Sequence, residues 1–172
     1  MNHYITLDGD INEEMVAKLL AKIEMTPKGE DKLVVYLTSQ GGNVDDMYTM
    51  LHALAEEKDT IKLVACGYIE SAALYLFFMA DCPKDILQET YGMIHQATTT
   101  YKINERGRPY SKYDAFIKEQ AYLYTDLFKG VLDSFDLTTD EIRAFEENEC
   151  TFITNSRLKE AYERYRKASF SV

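Results

Sequence analysis

Apolar runs alternate with amphipathic segments over the first hundred residues of the chain. The runs KLVVYLTS, TIKLVACG and TYGMIHQA are nearly continuously apolar and are bounded by turn residues, which is typical of strands buried in a parallel sheet. HYITLDGDI predicts an earlier strand that ends at Gly9. Helical spacing predicts one helix that Asn12 caps and that ends at Leu20 or Ile23, and another that Asn43 caps and that ends at about Glu57. It also predicts a short apolar helix from Ala72 to Met79. This alternation favours an α/β fold with right-handed crossovers and a largely parallel sheet.

The pattern changes after residue 98. TTTYKINERGRPY is polar and contains two helix breakers, so it predicts a loop or an edge hairpin. Ser111 then begins a long helix whose apolar stripe extends over about seven turns, and which covers the body of this subunit or contacts another subunit. LTTDEI predicts a short helix capped by Thr138 or Thr139, before a strand at CTFITNS and a terminal helix. The stripe consists of Tyr113, Phe116, Ile117, Tyr124, Leu127, Phe128, Val131 and Phe135.

Composition and charge exclude several classes of function. The net charge is −10, from 19 Lys and Arg residues against 29 Asp and Glu residues, which argues against nucleic acids and anionic membranes as partners. The N-terminal sequence has no basic segment before an apolar run, so it predicts no signal peptide. The most apolar stretch, SAALYLFFMAD, is too short to cross a bilayer. Cys66, Cys82 and Cys150 are widely spaced, so we expect reduced thiols in a cytoplasmic protein and no metal site.

Three consecutive predicted strands end in residues that together favour a catalytic site. Gly41 and Gly42 end one strand, Gly67 ends the next with Ser71 four residues later, and His95 lies near the end of the third. His95 would take the hydroxyl proton of Ser71. The amides of Gly42 and Ala72 would hold an oxyanion, because first-turn amides lack a helical partner and glycine permits close approach. Each feature alone also has a structural explanation, as a tight turn, a helix cap or a core histidine.

The sequence resembles the proteolytic subunit of the Clp protease, a serine peptidase with the ClpP/crotonase fold. VVYLTSQGGNV is similar to that family's Ser-Pro-Gly-Gly-Ser-Val type segment, GYIESAALYLF to its nucleophile segment, and GMIHQA to its Met-Ile-His-Gln-Pro segment. The order of the three segments and their spacing also fit. The likeness extends from YITLDGDI to TFITNSRLKEAYERY, which is nearly the whole chain.

The resemblance implies a role for each matching residue. Ser71 matches the nucleophile, His95 the general base, and Gly42 and Ala72 the oxyanion-hole amides. The family usually has an aspartate shortly before the segment matched by TFITN, and there the best match is Glu146. Glu147 and Glu149 are rivals for the acid.

The resemblance also implies an architecture and partners. It implies stacked ββα units in a single domain over residues 1–172, with residues 1–98 and 137–172 as the head and residues 99–136 as the handle region. It further implies peptide or unfolded-protein substrates, a homo-oligomer built as a heptameric ring or stacked rings, and no cofactor. The family's N-terminal axial loops are not recognisable, which argues against an AAA+ unfoldase as a partner.

Two other hypotheses are compatible with the sequence. An inactive ring subunit would explain why Gln40 replaces the family's proline, why Glu70 precedes Ser71 and why the aspartate is missing, but it leaves the Ser71–His95 pair unexplained. A crotonase-like acyl-CoA enzyme would use the two amides on a thioester, but the acidic chain has no evident basic cluster for the CoA phosphates. The serine peptidase is therefore the preferred hypothesis.

Overall fold

The structure of the protein is a computed structural model. It describes residues 1–27, 29, 31–96 and 111–169, with the backbone alone for residues 113–122 and 125. In the described part of the chain the elements are β1 (Asn2–Ile11), α1 (Glu13–Met25), β2 (Lys32–Gly42), α2 (Val44–Glu56), β3 (Ile61–Glu70), α3 (Ala72–Met79), β4 (Lys84–Ile86), β5 (Tyr91–Ile94), α4 (Lys112–Asp133), α5 (Thr139–Glu146), β6 (Thr151–Ile153) and α6 (Asn155–Ser169).

The described strands form one six-stranded sheet. Its order is β1-β2-β3-β5-β6, and β4 pairs with β3 beside this path. β1 to β5 pair in parallel, whereas β6 is antiparallel to β5. The α/β architecture with a largely parallel sheet, predicted from the alternation of apolar runs, is therefore confirmed.

The apolar segment SAALYLFFMAD forms the centre of the core. Every residue of α3 from Ala72 to Phe78 is buried, which explains why this helix has no polar face. α3 packs against β2, β3 and α2, and it also contacts α4. In the part of the chain that the structure describes, no helix is long and apolar enough to span a membrane.

The first and third strands, β1 and β3, are longer than their apolar runs predict. β3 continues past Gly67, where the prediction ended it, to Glu70. Gly67 has a φ of +66°, and the register with β2 shifts between Leu37 and Ser39. The first half of β3 pairs with β4 and its last residues pair with β5, so that Glu70 lies opposite Met93. β1 likewise continues past Gly9 to Ile11, with a bulge between Asp8 and Asp10. These extensions carry the strand ends to the point where the candidate residues lie.

The long helix is confirmed as α4, one residue after Ser111. Its C-terminal half covers the core with Phe128 and Val131, whereas Leu127 is 54% exposed. The C-terminal end of the apolar stripe therefore packs on the core of this subunit, whereas Leu127 in the same stripe is not covered by it. The predicted loop or hairpin at 98–110, and the stripe's side chains at Tyr113, Phe116 and Ile117, lie outside the described residues.

Candidate active site

Ser71 lies in a strained turn between β3 and α3. Its φ is 51° and its ψ is −126°, a backbone conformation that residues other than glycine rarely adopt. Its amide donates to the carbonyl of Met93 at 2.8 Å, and its own carbonyl accepts from the amide of Leu74 at 3.0 Å. Sharp strand-to-helix turns of this kind present the nucleophile in α/β-hydrolases. The hydroxyl of Ser71 is thus displayed at the strand end by a fixed backbone.

The side chain of Ser71 does not cap α3. Its Oγ lies 2.8 Å from Nε2 of His95, which directly follows β5. The pairing of β3 with β5 is what brings the two residues together, because it sets their strand ends side by side. With the imidazole neutral and protonated on Nδ1, Nε2 accepts a hydrogen bond from the hydroxyl. This is the arrangement in which a histidine removes a proton from a serine nucleophile.

Gly41 contacts the nucleophile turn too closely for any other residue. A Cβ at this position would lie 2.7 Å from the carbonyl oxygen of Glu70, 2.8 Å from Cβ of Ser71 and 2.9 Å from the amide nitrogen of Ala72. Its φ of +94° also favours glycine. The amide of Gly41 donates to Oγ of the buried Ser39 at 3.0 Å, which holds this strand end in place.

Gly42 joins the same strand end to β1. A Cβ on Gly42 would lie 2.4 Å from the carbonyl oxygen of Ile11, and its φ is +144°. The carbonyl of Ile11 accepts a hydrogen bond from the amide of Asn43, whose side chain caps α2. The glycine pair therefore allows three backbone segments to meet beside Ser71.

The four candidate residues line one cleft of about 300 Å³. Ala72 is the first residue of α3, so its amide has no acceptor within the helix, and the positive end of the helix dipole lies beside it. Gly42 lines the same cleft as Ala72, Ser71 and His95. The arrangement sets a serine hydroxyl, an imidazole and backbone amides around one space, and such a set of groups suits acyl transfer.

The cleft has an aromatic wall and a polar edge. The rings of Tyr75 and Phe128 stack with their centroids 3.9 Å apart, and Tyr124 stacks on Phe128 at 6.3 Å. The hydroxyl of Tyr124 donates to the carboxylate of Asp45 at 2.9 Å. Burial, together with this carboxylate, raises the pKa of Tyr124 to about 12. The hydroxyl therefore stays protonated near neutral pH.

Gln40 and Asp10 form part of the polar edge. Both residues line the cleft, and the side-chain amide of Gln40 donates to the carboxylate of Asp10. Gln40 therefore ties the glycine turn to the end of β1. Sequence reasoning missed Asp10 as a cleft residue, although its position at the end of a predicted strand was a usable signal.

Comparison with known proteins identifies the family. The family model of the Clp protease matches residues 1–108. The chain belongs to the Clp protease family. A solved structure that resembles it is a mutant of ClpP1 from Listeria monocytogenes, which is 18% identical in sequence, with a TM-score of 0.64 over 92% of this chain and 86% of that chain. No curated protein matches the sequence.

In this member of the Clp protease family, no described carboxylate contacts His95. Among the described residues, the hydrogen-bond partner of His95 is Ser71. Glu146 is the last residue of α5, and it is exposed, as are Glu147 and Glu149. The assignment of Glu146 as the acid therefore stays a prediction. Within the described ranges, no cluster of three or more His, Cys, Asp or Glu residues is arranged to hold a metal ion.

Proposed function

We propose that this Clp protease family member is a serine peptidase that hydrolyses peptide bonds in peptides or unfolded proteins. The observation that carries the proposal is the 2.8 Å contact between Oγ of Ser71 and Nε2 of His95 at a strained strand-to-helix turn. The joint presence of the glycine turn and the free amide of Ala72 in the same cleft supports it. A helix cap, which is the common structural role of such a serine, does not account for Ser71, because its side chain makes no cap bond.

The proposed mechanism has an acylation half and a deacylation half. Oγ of Ser71 attacks the scissile carbonyl carbon while Nε2 of His95 takes the hydroxyl proton. The amides of Gly42 and Ala72 stabilise the negative charge that develops on the carbonyl oxygen. The C–N bond then breaks, and His95 delivers the proton to the leaving amine. Water, deprotonated by His95, attacks the acyl carbon. The bond from this carbon to Oγ of Ser71 then breaks, and His95 returns the proton to Oγ as the carboxylic acid product leaves.

The proposal extends to assembly. Members of the family form rings, and we propose that this chain forms a homo-oligomer, either a heptameric ring or stacked rings. Exposed aromatic side chains on the sheet, including Tyr4 at 56% exposure and Tyr91 at 42%, are consistent with a subunit contact. The family likeness points to Glu146 as the acid, with Glu147 and Glu149 as alternatives.

The decisive experiment is hydrolysis of a small fluorogenic peptide library, together with labelling by a fluorophosphonate, which reacts with activated serines. Wild type, Ser71→Ala and Ser156→Ala are compared after their assembly state is checked by mass. Ser156 is an exposed serine of α6 and serves as the matched control. We expect turnover and labelling in wild type and in Ser156→Ala. We expect a loss of about 10³-fold or more in Ser71→Ala, because the nucleophile is gone.

Two results would contradict the proposal. Assembled wild type that neither turns over peptides nor reacts with the fluorophosphonate would favour an inactive ring subunit. Saturable binding of CoA by such a protein would favour the acyl-CoA alternative. Labelling that persists in Ser71→Ala would place the reactive serine elsewhere.

A further inference from the structure

We propose that position 150 is the position from which a side chain orients His95, and that Cys150 occupies the place of the triad acid in this chain. The inference rests on the proposed peptidase function and refines its mechanism. It assigns the position beside His95 to Cys150 instead of Glu146, and a cysteine has no carboxylate. The active site would then be a Ser71–His95 pair that lacks a carboxylate partner.

The strand register carries this inference. β5 and β6 are antiparallel, with Met93 opposite Phe152 and Ile94 opposite Thr151. His95 directly follows β5, and residue 150 directly precedes β6. Extending the register by one step therefore sets Cys150 opposite His95.

The alternation of burial gives the face on which the two side chains lie. Ile94 and Thr151 are both buried, whereas Met93 is half-buried and Phe152 is 68% exposed. Residues directly opposite each other in an antiparallel pair share a face, and their Cβ atoms lie about 4.5–5.5 Å apart. His95 is two positions from Met93, so in continued strand geometry it shares the face of Met93 and Phe152, and Cys150 does so as well. A short side chain at 150 is thus within reach of the imidazole.

The glutamates are less well placed. Glu146 is the last residue of α5, and the chain leaves the helix through Asn148, whose φ is 60°. The amide of Glu149 donates to the carbonyl of Ala144 at 2.7 Å, which holds this turn against the helix. In continued strand geometry Glu149 projects to the face opposite Cys150. The register therefore favours position 150 over Glu146 and Glu149.

A thiol at this position has a chemical consequence. When Nε2 of a neutral histidine accepts a hydrogen bond from serine, Nδ1 carries the proton and needs a hydrogen-bond acceptor. The sulfur of a thiol is only a weak acceptor. A carboxylate in that place would fix the tautomer and stabilise the imidazolium that forms during attack. In a serine-protease triad, losing that carboxylate lowers kcat by about 10⁴-fold. Activity in this chain is therefore expected to rise when an acid is restored.

The test compares wild type with Cys150→Asp and Cys150→Asn. The asparagine has the same shape as the aspartate but carries no charge. The measured quantity is the rate constant for fluorophosphonate labelling of Ser71 from pH 5 to pH 9. We expect Cys150→Asp to label about tenfold faster or more, and Cys150→Asn not to gain. Because a neighbouring carboxylate raises the pKa of a histidine, the low-pH loss of labelling should move to higher pH in Cys150→Asp alone.

The pH profile reports on His95 in the presence of other titratable groups. Asp10 and Tyr124 line the same cleft as His95, and Glu70 ends β3 opposite Met93. Glu149 precedes Cys150 in the segment before β6. These groups are the same in all three proteins, so a shift that is specific to Cys150→Asp arises from the new carboxylate. Thermal unfolding of each variant verifies that it is folded.

Three outcomes overturn the inference. The first is a Cys150→Asp protein that labels at the wild-type rate with an unshifted pH profile. The second is a fall of about tenfold or more in the labelling rate constant of Glu146→Gln or Glu149→Gln, which assigns the acid to that glutamate. Both variants keep the wild-type cysteine, so this outcome does not depend on the folding of Cys150→Asp. The third is the absence of labelling from both wild type and Cys150→Asp, which removes the proposed function as well.

Discussion

At the scale of single residues, backbone conformation matters as much as side-chain chemistry. Ser71 holds a φ of 51°, and three hydrogen bonds of its backbone secure it there. Gly41 lies against this turn with no space for a Cβ. The strained turn displays the hydroxyl to the cleft, where His95 meets it. A change at Gly41 should therefore disturb the nucleophile without altering any reactive group.

We predict that Gly41→Ala destabilises the protein and suppresses labelling of Ser71. Gly9→Ala is the matched control, because Gly9 has nearly the same φ, +95° against +94°, but no atom within 4 Å of its would-be Cβ. The control should lose about 1–2 kcal/mol from its unfolding free energy through backbone strain alone. Gly41→Ala should lose more, since backbone atoms must move. Urea unfolding and fluorophosphonate labelling measure both effects, and equal losses in the two variants would refute the close contact.

At the scale of elements, pairings between distant segments assemble the site and its surroundings. The late part of β3 pairs with β5 and so joins Ser71 to His95. An ion pair also joins α5, the helix before β6, to α6, the helix after it. Arg157 donates to both carboxylate oxygens of Glu141, and that carboxylate also accepts from the amide of Thr138 in a capping box. The predicted cap is thus confirmed at Thr138.

The Glu141–Arg157 pair predicts acid sensitivity. The hydrogen bonds from Arg157, above all, lower the pKa of Glu141 to about 2 from 4.5. Because the folded-state pKa is depressed, the stabilisation is complete above pH 4.5 and is lost as the pH falls toward 2. Glu141→Gln should lower the unfolding free energy by about 1 kcal/mol near pH 7, after solvent screening. The difference from wild type should shrink below pH 4.5.

Urea unfolding at several pH values measures this effect. Glu163→Gln is the control, because Glu163 pairs with Arg166 at side-chain exposures of 50% and 53%. Such an exposed pair contributes little, so its removal should leave the pH dependence unchanged. A constant gap between Glu141→Gln and wild type down to pH 2 would contradict the predicted linkage.

At the scale of the whole molecule, the two faces of the sheet differ. In β2 the residues Leu33, Val35 and Leu37 are buried, whereas the alternating positions are half-buried. On the less buried face, Tyr4 and Tyr36 stack with ring centroids 6.5 Å apart. An aromatic, incompletely covered sheet face suits contact with another copy of the chain, in keeping with the proposed homo-oligomer.

We predict that Tyr4→Asp weakens self-association. Tyr4 is 56% exposed, so a charge there should cost the folded subunit little but should oppose burial between subunits. Sedimentation velocity should show wild type as an oligomer and Tyr4→Asp shifted toward the monomer. Met25→Asp, at an apolar residue of α1 that is 77% exposed, is the control. A wild-type monomer, or equal shifts in both variants, would count against this face as the contact.

Much of the fold was predictable because it depends on local patterns. Continuous apolar runs indicated the buried strands, and Asn12 and Asn43 marked helix starts that the structure confirms with cap hydrogen bonds. The sequence positions of Ser71 and His95 at strand ends followed from the same patterns. Aromatic cleft residues such as Phe128 were visible only as members of an apolar stripe, because a pattern does not tell which cavity a core residue borders.

The sequence by itself determined the α/β class, the order of the elements and the candidate pair at the strand ends, since these depend on neighbours within a few residues. Only the tertiary structure decided that β3 continues past Gly67, that Ser71 takes a positive φ, and that Gly41 lies against its turn. It also decided the register that sets Ile94 of β5 opposite Thr151 of β6. The reason is physical: strand register and close backbone contacts arise between segments far apart in the chain, and no local pattern records them.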